Sequence, residues 1–198
     1  MSANERTRTR LLAATLVCVE RWGLEKTSLE DVAKEAGLSR ATVYRYFAGG
    51  REQLVHETVA WEVGRFFERI EREIAVEPDL AGKLRRGLMF GHQAIEEHTL
   101  LQRILATEPE ALLEELSNTI PLIEQAVRAY LLALLRSEEL RPGVSAVHAA
   151  DYLTRLYLSY VGSQGQWDFG DADAVDELVR TQFLAGVVAA PPGEIGVS

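Results

Sequence analysis

The chain has 198 residues, room for one domain or for a small domain fused to a larger one. Hydrophobic residues make up 47% and charged residues 26%, which allows a substantial core and argues against wholesale disorder. The net charge of −9 argues against a nucleic-acid partner only until its distribution is read. Residues 1–54 carry nine Lys/Arg against seven Asp/Glu, whereas residues 55–198 carry twelve against twenty-three. The acidity therefore belongs to the second part, and Arg6, Arg8 and Arg10 give the N-terminus a basic run suited either to phosphate or to a solvated helix face. The single Cys18 excludes an intrachain disulfide and sits in an apolar pattern with Leu11, Ala14 and Trp22, the pattern of a buried small hydrophobe. Neither a secretory signal nor an uninterrupted apolar run of about 18 residues is found, so the expectation is a cytoplasmic protein that does not engage the membrane.

Apolar periodicity is helical almost throughout. A first helix is expected over about 4–22, stopped by Gly23. Ser28 is an N-cap for a second helix to about Ala36, with Asp31 in the place of a capping-box partner. Gly37 supplies the turn, and Ser39 caps a third helix to about Tyr44 or Arg45. After Ala48-Gly49-Gly50, a long helix is expected over about 51–75 and another over about 79–97, capped by Asp79. Further helices are expected over about 109–117, 120–137, 144–163 and 172–189, separated by Pro121, Arg141-Pro142-Gly143 and the Gly162–Gly170 loop. The Pro191-Pro192-Gly193 tail cannot continue a helix. With no convincing strand, the fold class is all-α.

The stretch from Thr27 to Phe47, TSLEDVAKEAGLSRATVYRYF, meets the demands of a helix-turn-helix. Ala33 is small where the two helices cross, Gly37 follows four residues later, and Val43 is an apolar anchor six residues beyond that. Val32, Ala36 and Leu38 complete the inward face. Spacing, both caps and the inward face together make a specific signal.

Residues from about 8 to 54 resemble the DNA-binding domain of the TetR family of transcriptional regulators, and the ending Tyr44-Arg45-Tyr46-Phe47 is especially characteristic. Gly49-Gly50-Arg51 stands, with one extra residue, where the family often has a short turn with a lysine, so Arg51 is the nearest equivalent. The resemblance covers about a quarter of the chain. It implies an N-terminal three-helix DNA-binding domain, here 1–54, and a C-terminal helical ligand-binding and dimerisation domain, here 55–198, in a homodimer.

Physical roles can be assigned beside that resemblance. Arg40, Ala41 and Thr42 open the third helix, the part expected to meet base edges; Arg40 can grip guanine, and a methyl of Ala41 or Thr42 can touch thymine. Arg40 could instead bind phosphate. Tyr44 and Tyr46 would aim hydroxyls at the DNA backbone, although the Tyr46 ring could equally pack in the domain core. Ser28, Ser39 and Arg51 complete the DNA-facing set, Ser28 and Arg51 as phosphate contacts and both serines also as caps. Phe47 reads as core.

The second part carries a more general signal. LLQRILATEPEALL, from Leu100 to Leu113, resembles TetR relatives linked to lipid or acyl ligands. Trp61, Phe66, Phe67, Met89, Phe90, Ile104, Leu105, Tyr130 and Tyr152 could line an effector cavity or simply pack. Leu153, Leu156, Tyr157, Tyr160 and Val161 form one apolar stripe, and Val175, Leu178, Val179, Leu184 and Val187 another. Two such helices per chain could form a four-helix dimer interface, or both could face only their own domain. Enzyme readings fare poorly, because His56, His92, His98 and His148 form no HExxH, and no CxxC, GxSxG, Walker loop or GxGxxG is present. No cofactor or metal is expected. The expectation is a repressor that binds a palindromic double-stranded operator as a homodimer and answers to a small apolar effector. The alternative is a helical ligand carrier or protein-interaction module that does not read DNA.

Overall fold

Capping chemistry sets the first three helices. In the computed structural model, which describes residues 2–163 and 165–189, Ser2 and Glu5 form a reciprocal capping box that opens α1, Ala3–Trp22. Gly23, at φ 92°, closes it by donating its amide to the Val19 carbonyl at 2.9 Å. Ser28 caps α2, Leu29–Glu35, by accepting from the Asp31 amide at 3.2 Å. The expected capping box is altered: the Asp31 carboxylate accepts from the Ser28 hydroxyl, a shorter reach than the Ser28 amide would require of it.

The turn after α2 is a Schellman motif. Gly37, at φ 60°, donates to the Lys34 carbonyl at 3.1 Å, and Leu38 donates to that of Ala33 at 2.9 Å. Only a residue without Cβ adopts this φ cheaply. Ser39 then caps α3, Arg40–Tyr46, accepting from the Thr42 amide at 3.1 Å.

The remaining helices are α4 (Gly50–Ile74), α5 (Leu80–Glu96), α6 (Thr99–Thr107), α7 (Pro109–Leu135), α8 (Ala146–Gly162) and α9 (Ala172–Leu178). Three differ from expectation. Helix α6 was not expected, because its N-cap is His98, whose Nδ1 accepts from the Leu101 amide at 3.2 Å, and histidine is a weak sequence signal for a cap. Helix α7 unites the two segments expected on either side of Pro121. Ser117, Asn118 and Thr119, in the turn preceding the proline, donate side-chain bonds to the carbonyls four residues back. The last expected helix stays α-helical only to Leu178 and continues as a π-helical segment, Val179–Leu184. There the Thr181 hydroxyl donates to the Glu177 carbonyl and the Tyr152 hydroxyl to that of Gln182. Extended pairing among the described residues is confined to an isolated antiparallel bridge between Leu140 and Val188. The Pro191-Pro192-Gly193 tail lies outside the described residues.

The chain divides into two compact units, Met1–Phe67 with His98–Pro121, and Glu68–Glu97 with Leu122–Ser198. In the first, Leu11, Cys18, Val32, Val43, Phe47 and Leu54 form a core buried almost completely, with Leu38, Tyr46 and Trp61 packed against it. Val19, Leu24, Val55, Ile104 and Leu112 form a second cluster. In the second unit the buried residues include Leu84 and Leu88 of α5, Leu153 and Tyr157 of α8, and Leu178 and Phe183. Gly87 permits the close approach of α8: a Cβ there would lie 3.1 Å from the Tyr157 hydroxyl, which donates to the Gly87 carbonyl at 3.0 Å. No described helix is long and apolar enough to cross a membrane.

Candidate nucleic-acid interface

The caps and core of the first unit hold α3 so that one face is buried and the other bare. Val43 is fully buried, whereas Arg40, Ala41 and Tyr44 are exposed and Thr42 is half-buried. The Ser39 and Thr42 hydroxyls lie 2.9 Å apart, which fixes the first turn. Arg40 forms an ion pair with Glu30 of α2. Its Nη2 donates to the Tyr44 hydroxyl at 3.3 Å, and its guanidinium lies 5.5 Å from the Tyr44 ring centroid. The Tyr44 hydrogen bond, followed by the Glu30 carboxylate, raises the Arg40 pKa above its ordinary value. This cluster is therefore a charged, aromatic surface displayed by a rigid helix.

Tyr46 is half-buried on the domain core, with the Arg45 guanidinium 5.4 Å from its ring centroid, so most of its contacts are internal. Ser28 is occupied by its capping bonds. Arg51 requires revision. Instead of facing outward to phosphate, it donates Nε to the Thr27 carbonyl at 2.9 Å and Nη2 to those of Leu24 at 2.6 Å and Glu25 at 3.1 Å. The carbonyls of the loop joining α1 to α2 capture a guanidinium from the first turn of α4, a contact across 24 to 27 residues.

The amides of the same loop are held from the other direction. Glu108, between α6 and α7, accepts from the Leu24 amide at 3.1 Å and the Glu25 amide at 2.7 Å. Arg103 of α6 donates to the Val19 carbonyl at 2.8 Å, just before the end of α1. The sequence reading missed Glu30, Arg103 and Glu108. The pairings of Arg103 and Glu108 span more than 80 residues and have no local spacing that could have indicated them.

The expected effector residues are dispersed. In the first unit, Trp61 packs on the helix-turn-helix core, Phe66 meets Phe67 edge-on, Ile104 is buried, and Leu105 faces solvent. An apolar cavity of about 40 Å³ in this unit is lined by Thr15, Val19, Val55, Thr58, Ile104 and Leu112, among others. Of the expected effector residues only Ile104 reaches it, and it is far smaller than the ~300 Å³ of an ordinary ligand pocket. In the second unit, Met89 and Phe90 are half-buried, Tyr130 is half-buried with a hydroxyl pKa raised by desolvation and then by Glu71, and Tyr152 is exposed. Leu105 and Tyr152 are thus revised from cavity lining to surface.

The expected dimer residues divide similarly. Leu153, Tyr157 and Leu178 are buried within the second unit, and Tyr157 lies against Gly87 and Gly91 of α5. Leu156 and Tyr160 remain half-buried, and Tyr160 donates to the Gln182 side chain at 2.9 Å.

Comparison with known proteins agrees with this geometry. Residues 11–58 match the family model described as bacterial regulatory proteins, tetR family. An uncharacterised HTH-type transcriptional regulator of Mycobacterium bovis is 24% identical over 178 residues, covering 89% of this chain and 87% of that protein. The TetR-family repressor AlkX from Dietzia sp. strain DQ12-45-1b, implicated in n-alkane biodegradation, is 25% identical with a TM-score of 0.63, covering 90% of this chain and 98% of its own. The transcriptional regulator FadR from Bacillus subtilis, solved with stearoyl-CoA, shares the fold at 18% identity and a TM-score of 0.54, covering 87% of this chain and 97% of its own. The capped helix-turn-helix and the displayed α3 face thus lie in the segment that matches the tetR-family model, and over most of its length the chain is similar to HTH-type and TetR-family transcriptional regulators.

Proposed function

We propose that this regulator is a repressor that binds a palindromic operator as a homodimer and is released or recruited by a small apolar effector of the acyl or lipid type. The observation that carries the DNA-binding half is the exposed face of α3, where Arg40, Ala41, Thr42 and Tyr44 project from a helix whose opposite side is locked into the core. Ser39 sustains that geometry from the N-cap. Arg40 is the proposed guanine reader and Tyr44 a backbone contact. Ser28 and Tyr46 act in support through the cap and the core, and Arg51 by holding the α1–α2 loop. A single recognition helix reads only a half-site, which favours a two-fold partner; Leu156 and Tyr160 are the proposed contacts still accessible to one.

The effector half draws on the stearoyl-CoA bound by the Bacillus subtilis relative and the alkane association of the Dietzia relative. Trp61, Phe66, Met89, Phe90, Ile104 and Tyr130 are the proposed apolar residues through which such a molecule acts. Coupling to DNA is supported by the Glu108 and Arg103 bonds, which tie α6 to α1 and to the loop before α2 within one unit. An effector can shift DNA affinity only by binding two conformers unequally.

The test is fluorescence anisotropy on DNA from upstream of the protein's own gene, with and without a long-chain acyl-CoA. Salt-sensitive, sequence-specific binding that the acyl-CoA changes supports both halves. Specific binding indifferent to acyl-CoA removes the effector proposal. Arg40→Ala should lose about 1–3 kcal/mol of specific binding and relax preference at one base pair. An equal loss on every duplex would make Arg40 a phosphate contact.

A further inference from the structure

We propose that Glu30 is a positioning residue for Arg40, its carboxylate holding the guanidinium against Tyr44 and so restricting which bases the recognition helix accepts. The inference rests on Arg40 being a base reader. Arg40 is the first residue of α3, and well over half of its side chain is exposed, so alone it would sample many rotamers. Two elements confine it instead. Glu30 pairs with Nη1 from α2, while Tyr44, one turn further along α3, accepts from Nη2 and presents its ring face. Ordering a long side chain before DNA arrives removes an entropic cost from binding and narrows the geometries in which the base contact forms.

Charge separates the two roles open to Arg40. A phosphate anchor gains nothing from an adjacent carboxylate, which offsets its positive charge and repels the DNA backbone. A base reader gains orientation, because two of the five guanidinium N–H groups engage Glu30 and Tyr44 and three remain, enough for a bidentate contact to guanine. The carboxylate also weakens attraction to DNA of any sequence, which lowers both affinities alike, so discrimination comes from the orientation of Arg40.

The experiment uses the full chain. Wild-type protein selects duplexes from a randomised library, and anisotropy across a salt series then compares the selected duplex with a shuffled duplex of equal composition. Glu30→Gln should bind the shuffled duplex more tightly, with a salt slope steeper by about one. Its selected-to-shuffled affinity ratio should fall by about 2- to 5-fold, the factor an exposed ion pair can carry. Glu30→Asp keeps the charge but shortens the reach, so its ratio should fall with the salt slope unchanged. In an Arg40→Ala background neither substitution should move the ratio. A ratio unchanged by Glu30→Gln, or one that falls equally without Arg40, overturns the proposal while leaving the DNA reading intact. Weaker binding to both duplexes together with a lowered melting temperature would make Glu30 a structural residue and also overturns it. A wild type that selects no sequence overturns the DNA reading and this inference with it.

Discussion

Glu108→Ala removes the carboxylate that caps two amides of the α1–α2 loop, at 3.1 Å to Leu24 and 2.7 Å to Glu25. A hydrogen bond to a charged group contributes about 1.5–3 kcal/mol net when shielded, and less where water replaces the lost partner. The Leu24 bond is part-buried and warrants about 1.5 kcal/mol, whereas the exposed Glu25 bond warrants about 0.5 kcal/mol. The expected loss is about 2 kcal/mol, equivalent to a Tm lower by about 4–8 °C in a chain of this size. Thermal melting followed by far-UV circular dichroism reads it directly. Glu108→Gln keeps one acceptor oxygen and should lose about half as much. Gly23→Ala should destabilise from the opposite side, since its new Cβ would collide with the Glu108 carboxylate at a φ of 92°. A Glu108→Ala melt within about 1 °C of wild type would refute the clamp and, with it, the support it lends to coupling between α6 and the DNA-binding helices.

Other expectations can be checked alongside. Arg51→Ala should lower Tm by several degrees, because three loop carbonyls lose their donor, whereas a pure phosphate contact would lower DNA affinity and leave Tm unchanged. Burial, then the nearby Glu35 and Asp31 carboxylates, push the Cys18 thiol up to about 11, against a partial offset from Arg21. Cys18 should therefore resist a thiol reagent in the native protein at neutral pH and react on unfolding, and rapid native labelling would contradict its burial. Because the folded thiol holds its proton above the unfolded value of 9.0, its contribution to stability is complete below pH 9 and is lost as pH rises from about 9 to about 11. Denaturant titrations across that interval should show a decline that Cys18→Ser reduces; an unchanged decline would remove Cys18 as its source. Tyr157→Phe should cost about 1 kcal/mol by removing the buried bond to the Gly87 carbonyl, and a stability equal to wild type would show that this bond contributes nothing net.

The motif from Thr27 to Phe47 was legible because every requirement is local. Serine caps, a glycine at positive φ and an apolar face each act within four residues, so Ser28, Gly37, Ser39 and Val43 could be assigned from spacing alone. The same locality explains the errors. Pro121 reads as a break, but α7 continues through it, and α6 starts at a histidine that no capping rule favours. Apolar periodicity identified the faces of α8 and α9 but not their partners, and α5, made smooth by Gly87 and Gly91, packs against Tyr157 and Val161.

The sequence by itself determined the helical class, the helix-turn-helix and the resemblance to TetR-family regulators, because caps, turns and periodicity are written within a few residues of where they act. Tertiary structure alone decided what the charged residues do. Arg40, Arg51, Arg103 and Glu108 have long side chains, and their partners lie 4 to 84 residues away. A guanidinium that could reach phosphate reached a loop carbonyl instead, and only the packing of α1, α4 and α6 around that loop made the choice.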